Sequence, residues 1–192
     1  MQNKLRTQEE YEDIFQEALK QILPNVKPSD IRPAFNKDGG NIVAKNFIGK
    51  PEDNMDGLVG FTNRDQFVYF RVTFDDATDE IGQAEVHPDD TVEINRPVKL
   101  YVYNYGDGCM DMALYEKGLM RSNTISTYLN NLGIYLLNES GLIPVTEYVN
   151  GVPWTRCDIT FVFNEVVKLN NIKEIGFAVD ADEEVIVDGN VR

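Results

Sequence analysis

The sequence predicts an α+β domain, a largely antiparallel β-sheet packed with an N-terminal helix and a central helix pair. Three observations lead there. Apolar residues recur at helical spacing from Tyr11 to Ile22 and again from Met110 to Leu132, while period-two runs rich in aromatic and β-branched residues mark strands near Gln66–Phe74, Val98–Tyr103 and Cys157–Val167. The order is helix, strands, helix pair, strands, without the strand-helix alternation of a parallel sheet. Of 192 residues, 42% are apolar and 26% charged, close to globular averages. A single core of this size buries roughly 70% of the unfolded chain's surface.

The first helix follows from Tyr11, Ile14, Phe15, Ala18, Leu19 and Ile22, with Glu9, Glu10, Glu12, Asp13 and Glu17 between them. Thr7 and Glu10 have capping-box spacing, the acids crowd the positive end of the helix dipole, and Pro24 ends the element. From Pro24 to Asn63 the prolines and glycines leave room only for short extended pieces near Ile31–Phe35 and Asn41–Ile48, so a long loop-rich arm is expected. FVYFRVTF then reads as a strand. In the next, Val98, Leu100 and Val102 alternate with Lys99, Tyr101 and Tyr103, and the bulk on both faces implies cover on at least one, by a helix or a neighbouring subunit. Gly106-Asp107-Gly108 turns into a helix with Met110, Ala113, Leu114 and Lys117 on one side and Asp111 and Glu116 expected in water. Ser122 starts a second short helix carried by Ile125, Tyr128, Leu129 and Leu132 and stopped by Gly133. Ile134, Leu136 and Leu137 form a strand, Pro144 to Trp154 passes through an Asn150-Gly151 turn, and Ile159, Phe161 and Phe163 give the closing strand its buried face.

Composition narrows the function. With 18 Lys and Arg against 32 Asp and Glu, the net charge is −14, a poor match to phosphate-rich partners that require a basic surface. Cys109 and Cys157 are too few for a disulfide framework and form no C-x-x-C pair, and no apolar run is long enough to cross a membrane. A reducing cytoplasm is the expected place of synthesis. His87, the one histidine, precedes Pro88 in a polar loop and reads as a loop residue; the two cysteines read as packing residues. The carboxylates Asp75, Asp76, Asp79, Glu80, Glu85, Asp89, Asp90 and Glu93 lack EF-hand spacing and the acid-x-Lys of metal-dependent nucleases, so a solvated acidic loop is the plainer reading. The Gly-Asp-Gly turn lacks the glycine spacing and the Lys-Ser/Thr ending of a phosphate loop. These residues lead to no assigned catalytic group, metal or cofactor. Trp154 beside Arg156 fits either core or an interface anchor, and Tyr101, Tyr103 and Tyr105 form a phenol stripe on one side of a strand, suited to a neighbouring subunit.

VKLYVYNYGDGCMDM (98–112) resembles the strand, aromatic-x-Gly-Asp turn and helix start of the phage neck terminator, or tail terminator, proteins. LMRSNTISTYLNNLGIYLLNESG resembles that family's second helix, glycine stop and following strand, and WTRCDITFVFNEVV its closing strand; the likeness covers about Gln66 to Leu169. The resemblance implies a ring-forming virion protein without enzymatic activity, commonly a hexamer, assembled in the host cytoplasm. Such a ring caps the tail tube at the neck and joins it to the head connector. Its implied partners are its own copies, the tail tube protein, the connector and neck proteins and the sheath, with DNA passing through the lumen unheld and no membrane involved. Interface candidates are Tyr101, Tyr103, Tyr105, Asp107, Trp154 and Arg156. The expected organisation is one terminator-like domain over 1–169, with an arm at 36–63 and an acidic insertion at 75–93, then an acidic extension over 170–192. Arm, insertion and extension exceed the minimal family design and are expected to dock partners. The alternatives are another neck or tube component, such as a head completion protein or tube subunit, and a metal-dependent enzyme using the 75–93 acids. Those eight acids and the five at Asp180, Asp182, Glu183, Glu184 and Asp188 account for nearly all of the net charge. The acidity thus belongs to two segments, which would face a basic partner or line a channel that repels DNA.

Overall fold

The computed structural model describes residues 6–33, 63–74, 85–87, 91–149 and 152–169. The expectations for the arm at 36–63, apart from its last residue, for most of the 75–93 insertion and for the 170–192 extension therefore lie outside the described residues.

Helix α1 (Gln8–Ile22) starts as its sequence requires. The Thr7 hydroxyl accepts from the Glu10 N–H at 3.3 Å and the Glu10 carboxylate accepts from the Thr7 N–H at 2.8 Å. It buries Tyr11, Phe15, Ala18, Leu19 and Ile22 and ends before Pro24. The strands are β1 (Ile31–Pro33), β2 (Phe67–Phe74), β3 (Glu85–Val86), β4 (Val92–Tyr105), β5 (Ile134–Glu139), β6 (Ile143–Val149) and β7 (Val152–Leu169). Between β4 and β5 lie α2 (Cys109–Leu119) and α3 (Asn123–Asn131). The sheet order is β1-β2-β4-β7-β5, with β3 also on β4 and β6 also on β7; among the described residues only the β1–β2 pairing is parallel. An α+β fold with a mostly antiparallel sheet is what the alternation predicts.

Cross-strand rows explain the core. Phe70, Val102 and Ile159 stand side by side, as do Val72, Leu100 and Phe161, and Phe74, Val98 and Phe163. With side chains alternating by strand geometry, these rows share one face, where they pack with Phe15, Leu19, Met112, Ala113, Ile125 and Leu129 of the helices.

Three expectations need correction. β4 begins at Val92 rather than Val98, because Pro97 lies just past the end of β2, which stops at the Phe74–Val98 pair; on that side no β2 partner needs its missing N–H. β7 begins at Val152, so Trp154 and Arg156 are inside the closing strand, not before it. The third concerns α2, whose buried residues are Cys109, Met112, Ala113 and Glu116, whereas Met110 and Leu114 are 46% and 60% exposed. Apolar residues lie almost all round this helix, so their spacing does not set its rotation; the preceding turn does. Gly106 has φ +87°, donates its N–H to Thr155 O at 3.1 Å, and lies so close to Asp65 that a Cβ would sit 2.1 Å from the Asp65 carbonyl oxygen. Gly108, at φ +77°, then caps α2. Tertiary contacts of the turn thereby fix the helix phase.

The remaining boundaries agree with their local signals. The Ser122 hydroxyl accepts from the Ile125 N–H at 3.4 Å to open α3. Gly133 adopts φ +76° after it, and its carbonyl accepts from the Val166 N–H at 2.9 Å. Val149 pairs with Val152, consistent with a two-residue connection, although residues 150–151 themselves lie outside the described residues.

Candidate functional site

The strand alternation that directs Val98, Leu100 and Val102 toward the helices directs Tyr101, Tyr103 and Tyr105 to the opposite face. Register places Arg71 and Thr160 beside Tyr101, Tyr69 and Asp158 beside Tyr103, and Phe67 and Arg156 beside Tyr105. Trp154 lies on the same face two residues before Arg156, opposite Glu147 of β6. Five of the six sequence-predicted interface residues thus meet on one sheet face. The sixth, Asp107, sits in the adjoining turn, where its N–H donates to Arg64 O at 3.1 Å and its carbonyl accepts from Gln66 Nε2 at 2.6 Å, leaving the side chain exposed.

The residues of this patch are buried to two different degrees. Phe67, Tyr69, Tyr105 and Trp154 are buried: the Phe67 and Tyr105 rings stack with centroids 4.7 Å apart, and Tyr69 and Trp154 meet Phe67 edge-on at 5.5 and 6.0 Å. Tyr105 and Trp154 therefore serve as the foundation of the patch inside the chain. Tyr101 and Tyr103 are half-buried, each beneath a cation: Arg71 lies 5.9 Å from the Tyr101 centroid and Arg156 lies 5.3 Å from that of Tyr103.

Arg156 is the hub. Its Nε and Nη2 donate to the two oxygens of Asp158 at 2.6 and 3.0 Å, a two-pronged carboxylate pair within one strand face. Its Nη1 bonds the Glu147 carboxylate and donates to the Tyr105 hydroxyl at 3.2 Å, and that hydroxyl in turn donates to Glu147 at 3.2 Å. Burial is the main reason that the phenols of Tyr103 and Tyr105 titrate above their usual 10. Both remain protonated at neutral pH. The arrangement presents half-buried aromatic faces and a braced guanidinium together on one sheet face, residue types enriched where proteins make contact.

Other singled-out residues fall elsewhere. His87 Nε2 is 3.9 Å from Glu93, whose carboxylate also bonds Lys168 at 2.8 Å; that bond is the first reason the Glu93 pKa is lowered. Glu93 and Glu85 lie in strands, so this end of the predicted acidic loop is part of the sheet. Cys109 and Cys157 are free and buried, and burial raises both thiols above 9, away from the reactive thiolate. Among the described residues no group of three His, Cys, Asp or Glu is placed to hold a metal, and no helix is long and apolar enough to cross a membrane.

Sequence reasoning missed two buried polar clusters on the helix side. Glu165, fully buried, bonds Arg6 and lies 3.4 Å from Arg96, while Arg6 also donates to Leu132 O at 2.6 Å. Both guanidiniums face the Tyr11 ring, at 5.9 and 5.1 Å. Glu116, also fully buried, accepts from Asn104 Nδ2 at 2.8 Å. The available signal was phase: Asn104 continues the inward series 98, 100, 102, and Glu165 continues 159, 161, 163.

No protein-family model and no curated protein matches this chain.

Proposed function

We propose that this chain is a structural virion protein of a tailed phage, one that closes into a ring at the neck, caps the tail tube and joins it to the head connector. The observation that carries this reading is the segment 98–112. Its strand runs to Tyr105, turns on Gly106 and Gly108, and enters α2 at Cys109, the strand-turn-helix unit that the resemblance to neck terminators calls for. Support also comes from the patch beside that turn, where half-buried Tyr101 and Tyr103 and the braced Arg156 have the composition of interface anchors. A ring requires a heterologous contact whose rotation closes, so each copy presents two different surfaces. The tyrosine–arginine patch is one of them in this proposal.

Native mass spectrometry of the full chain, with negative-stain microscopy, tests it. One closed ring, most simply a hexamer, is the expected species. An Arg156→Ala variant, which frees Asp158 and Glu147 and removes the cation over Tyr103, should assemble at least about tenfold less tightly. A monomer refutes the proposal, and open-ended tubes formed by the chain alone would make it a tube subunit instead.

A further inference from the structure

A groove of about 730 Å³ opens between α1, the α3–β5 connection and the end of β7. Ile14, Leu132, Tyr135 and Val166 give it apolar walls. Its charges are unequal. Arg6 is bound to buried Glu165, Lys168 to Glu93, and Glu10 accepts from the Thr7 N–H, while exposed Asp13 also lines the α1 side. Asn130 and Asn131, at the C-terminal end of α3, bring the negative end of a helix dipole to the opposite side. Such a groove suits an apolar segment carrying positive charge.

In so acidic a chain that combination is scarce. Outside the described residues it occurs at 41–50, NIVAKNFIGK, where Ile42, Val43, Phe47 and Ile48 accompany Lys45 and Lys50 and no acid intervenes. We propose that this groove receives residues 41–50 of a second copy of the chain. The inference deepens the ring reading above and rests on it only for the number of copies joined.

Reach argues for a second copy over the same one. Asn63, where the described chain resumes, is tied to Pro153 O at 3.1 Å, near the start of β7. The groove touches Val166, thirteen strand residues farther on, about 43 Å at ~3.3 Å per residue. The thirteen residues from Lys50 to Asn63 span at most about 45 Å when fully extended. The other leg is as tight. Pro33 lies in the row of Phe70, Val102 and Ile159, three strand spacings and seven residues from Val166, about 27 Å away, with only the eight residues to Asn41 to cover it. Within one copy both legs would be drawn straight; a neighbour's groove imposes no such limit. The resulting contact is heterologous, arm of one copy into groove of the next.

Charge exchange in the full chain tests the proposal by native mass spectrometry and sedimentation velocity. Asp13→Lys alone, and Lys45→Glu with Lys50→Glu, should each raise the concentration needed for assembly at least about tenfold, with unchanged circular dichroism. Mixing these two variants should restore assembly to within about threefold of the parent, since each arm then meets an opposite charge in the other chain's groove. Rescue on mixing cannot arise from docking within one copy. Unaltered assembly in both variants, or failure of the mixture to recover, would overturn the contact. So would loss of assembly on deleting residues 2–5 while the charge variants assemble normally, which would assign the groove to the chain's own start. Rings insensitive to the exchanges would leave the ring reading standing without this contact. Dimers that depend on them would keep the contact and end the ring reading, and a monomeric parent would end both.

Discussion

Two fully buried glutamates have very different partners. Glu165 faces two guanidiniums, whereas the one polar side chain that Glu116 is seen to bond is the Asn104 amide. Burial without a cation pushes the Glu116 carboxyl up to about 8, a shift that the Asn104 bond only partly offsets. The second oxygen of Glu116 and the Asn104 carbonyl oxygen have no hydrogen-bond partner, and a proton on Glu116 supplies the donor that such a pair lacks. The sign of the pH effect follows. The folded chain keeps a proton that the unfolded chain, with its ordinary value of 4.5, releases, so the contribution is full below 4.5 and is lost as pH rises toward 8. Over that window stability should fall by roughly 1 kcal/mol per pH unit from this group. Glu116→Gln offers Asn104 a neutral amide and should flatten that slope, making the variant the more stable protein at pH 8. Urea unfolding at pH 5, 6.5 and 8 measures it, and parallel slopes in parent and variant would rule the account out. Glu116 was expected in water because a glutamate outside any recognised pair carries no mark of burial in the sequence; only the rotation of α2 reveals it.

At the scale of elements, α1 is held by two different forces, an apolar stripe along its length and a charged network at its entry. Its apolar stripe docks on the sheet, and Arg6, two residues before it, reaches Glu165 of β7 beside Arg96 of β4. Arg96 also donates to Arg6 O at 2.8 Å, so the entry to the helix is pinned by side chain and main chain together. Removing one partner from such a buried network leaves uncompensated charge. Glu165→Gln should therefore cost about 3–5 kcal/mol in chemical denaturation, more than Arg121→Ala, whose pair with Glu139 is exposed. Equal effects would show that the buried network adds nothing special. The capping box and the Ser122 cap were legible because each is a local exchange between residues three apart. The α2 face was not, since it depends on Gly106 meeting Asp65, forty-one residues earlier in the chain.

For the whole molecule, charge and assembly meet. The chain's −14 is concentrated in segments largely outside the described sheet and helices, and any closed ring multiplies it by the number of copies. Duplex DNA at ~0.15 M salt should neither co-sediment with the protein nor shift in a gel, as expected of a channel that DNA traverses without being held. Binding that weakens steeply with added salt would point instead to a basic surface formed on assembly. The rings expected here would use the aromatic patch and the α1 groove, which lie toward opposite ends of β7, as a head-to-tail contact needs two unlike surfaces.

The sequence alone determined the fold class, the order of the elements and the two inward faces of the central strands, because period and capping are local properties read within a few residues. It also singled out Tyr101, Tyr103, Tyr105, Trp154 and Arg156, though as separate features. Tertiary structure decided that these five share one sheet face, that Tyr105 and Trp154 are buried while Tyr101 and Tyr103 are only half-buried, and that Glu116 is buried. The physical reason is pairing at long range: the register of β4 on β7 brings together residues some fifty positions apart, and no local period carries that register.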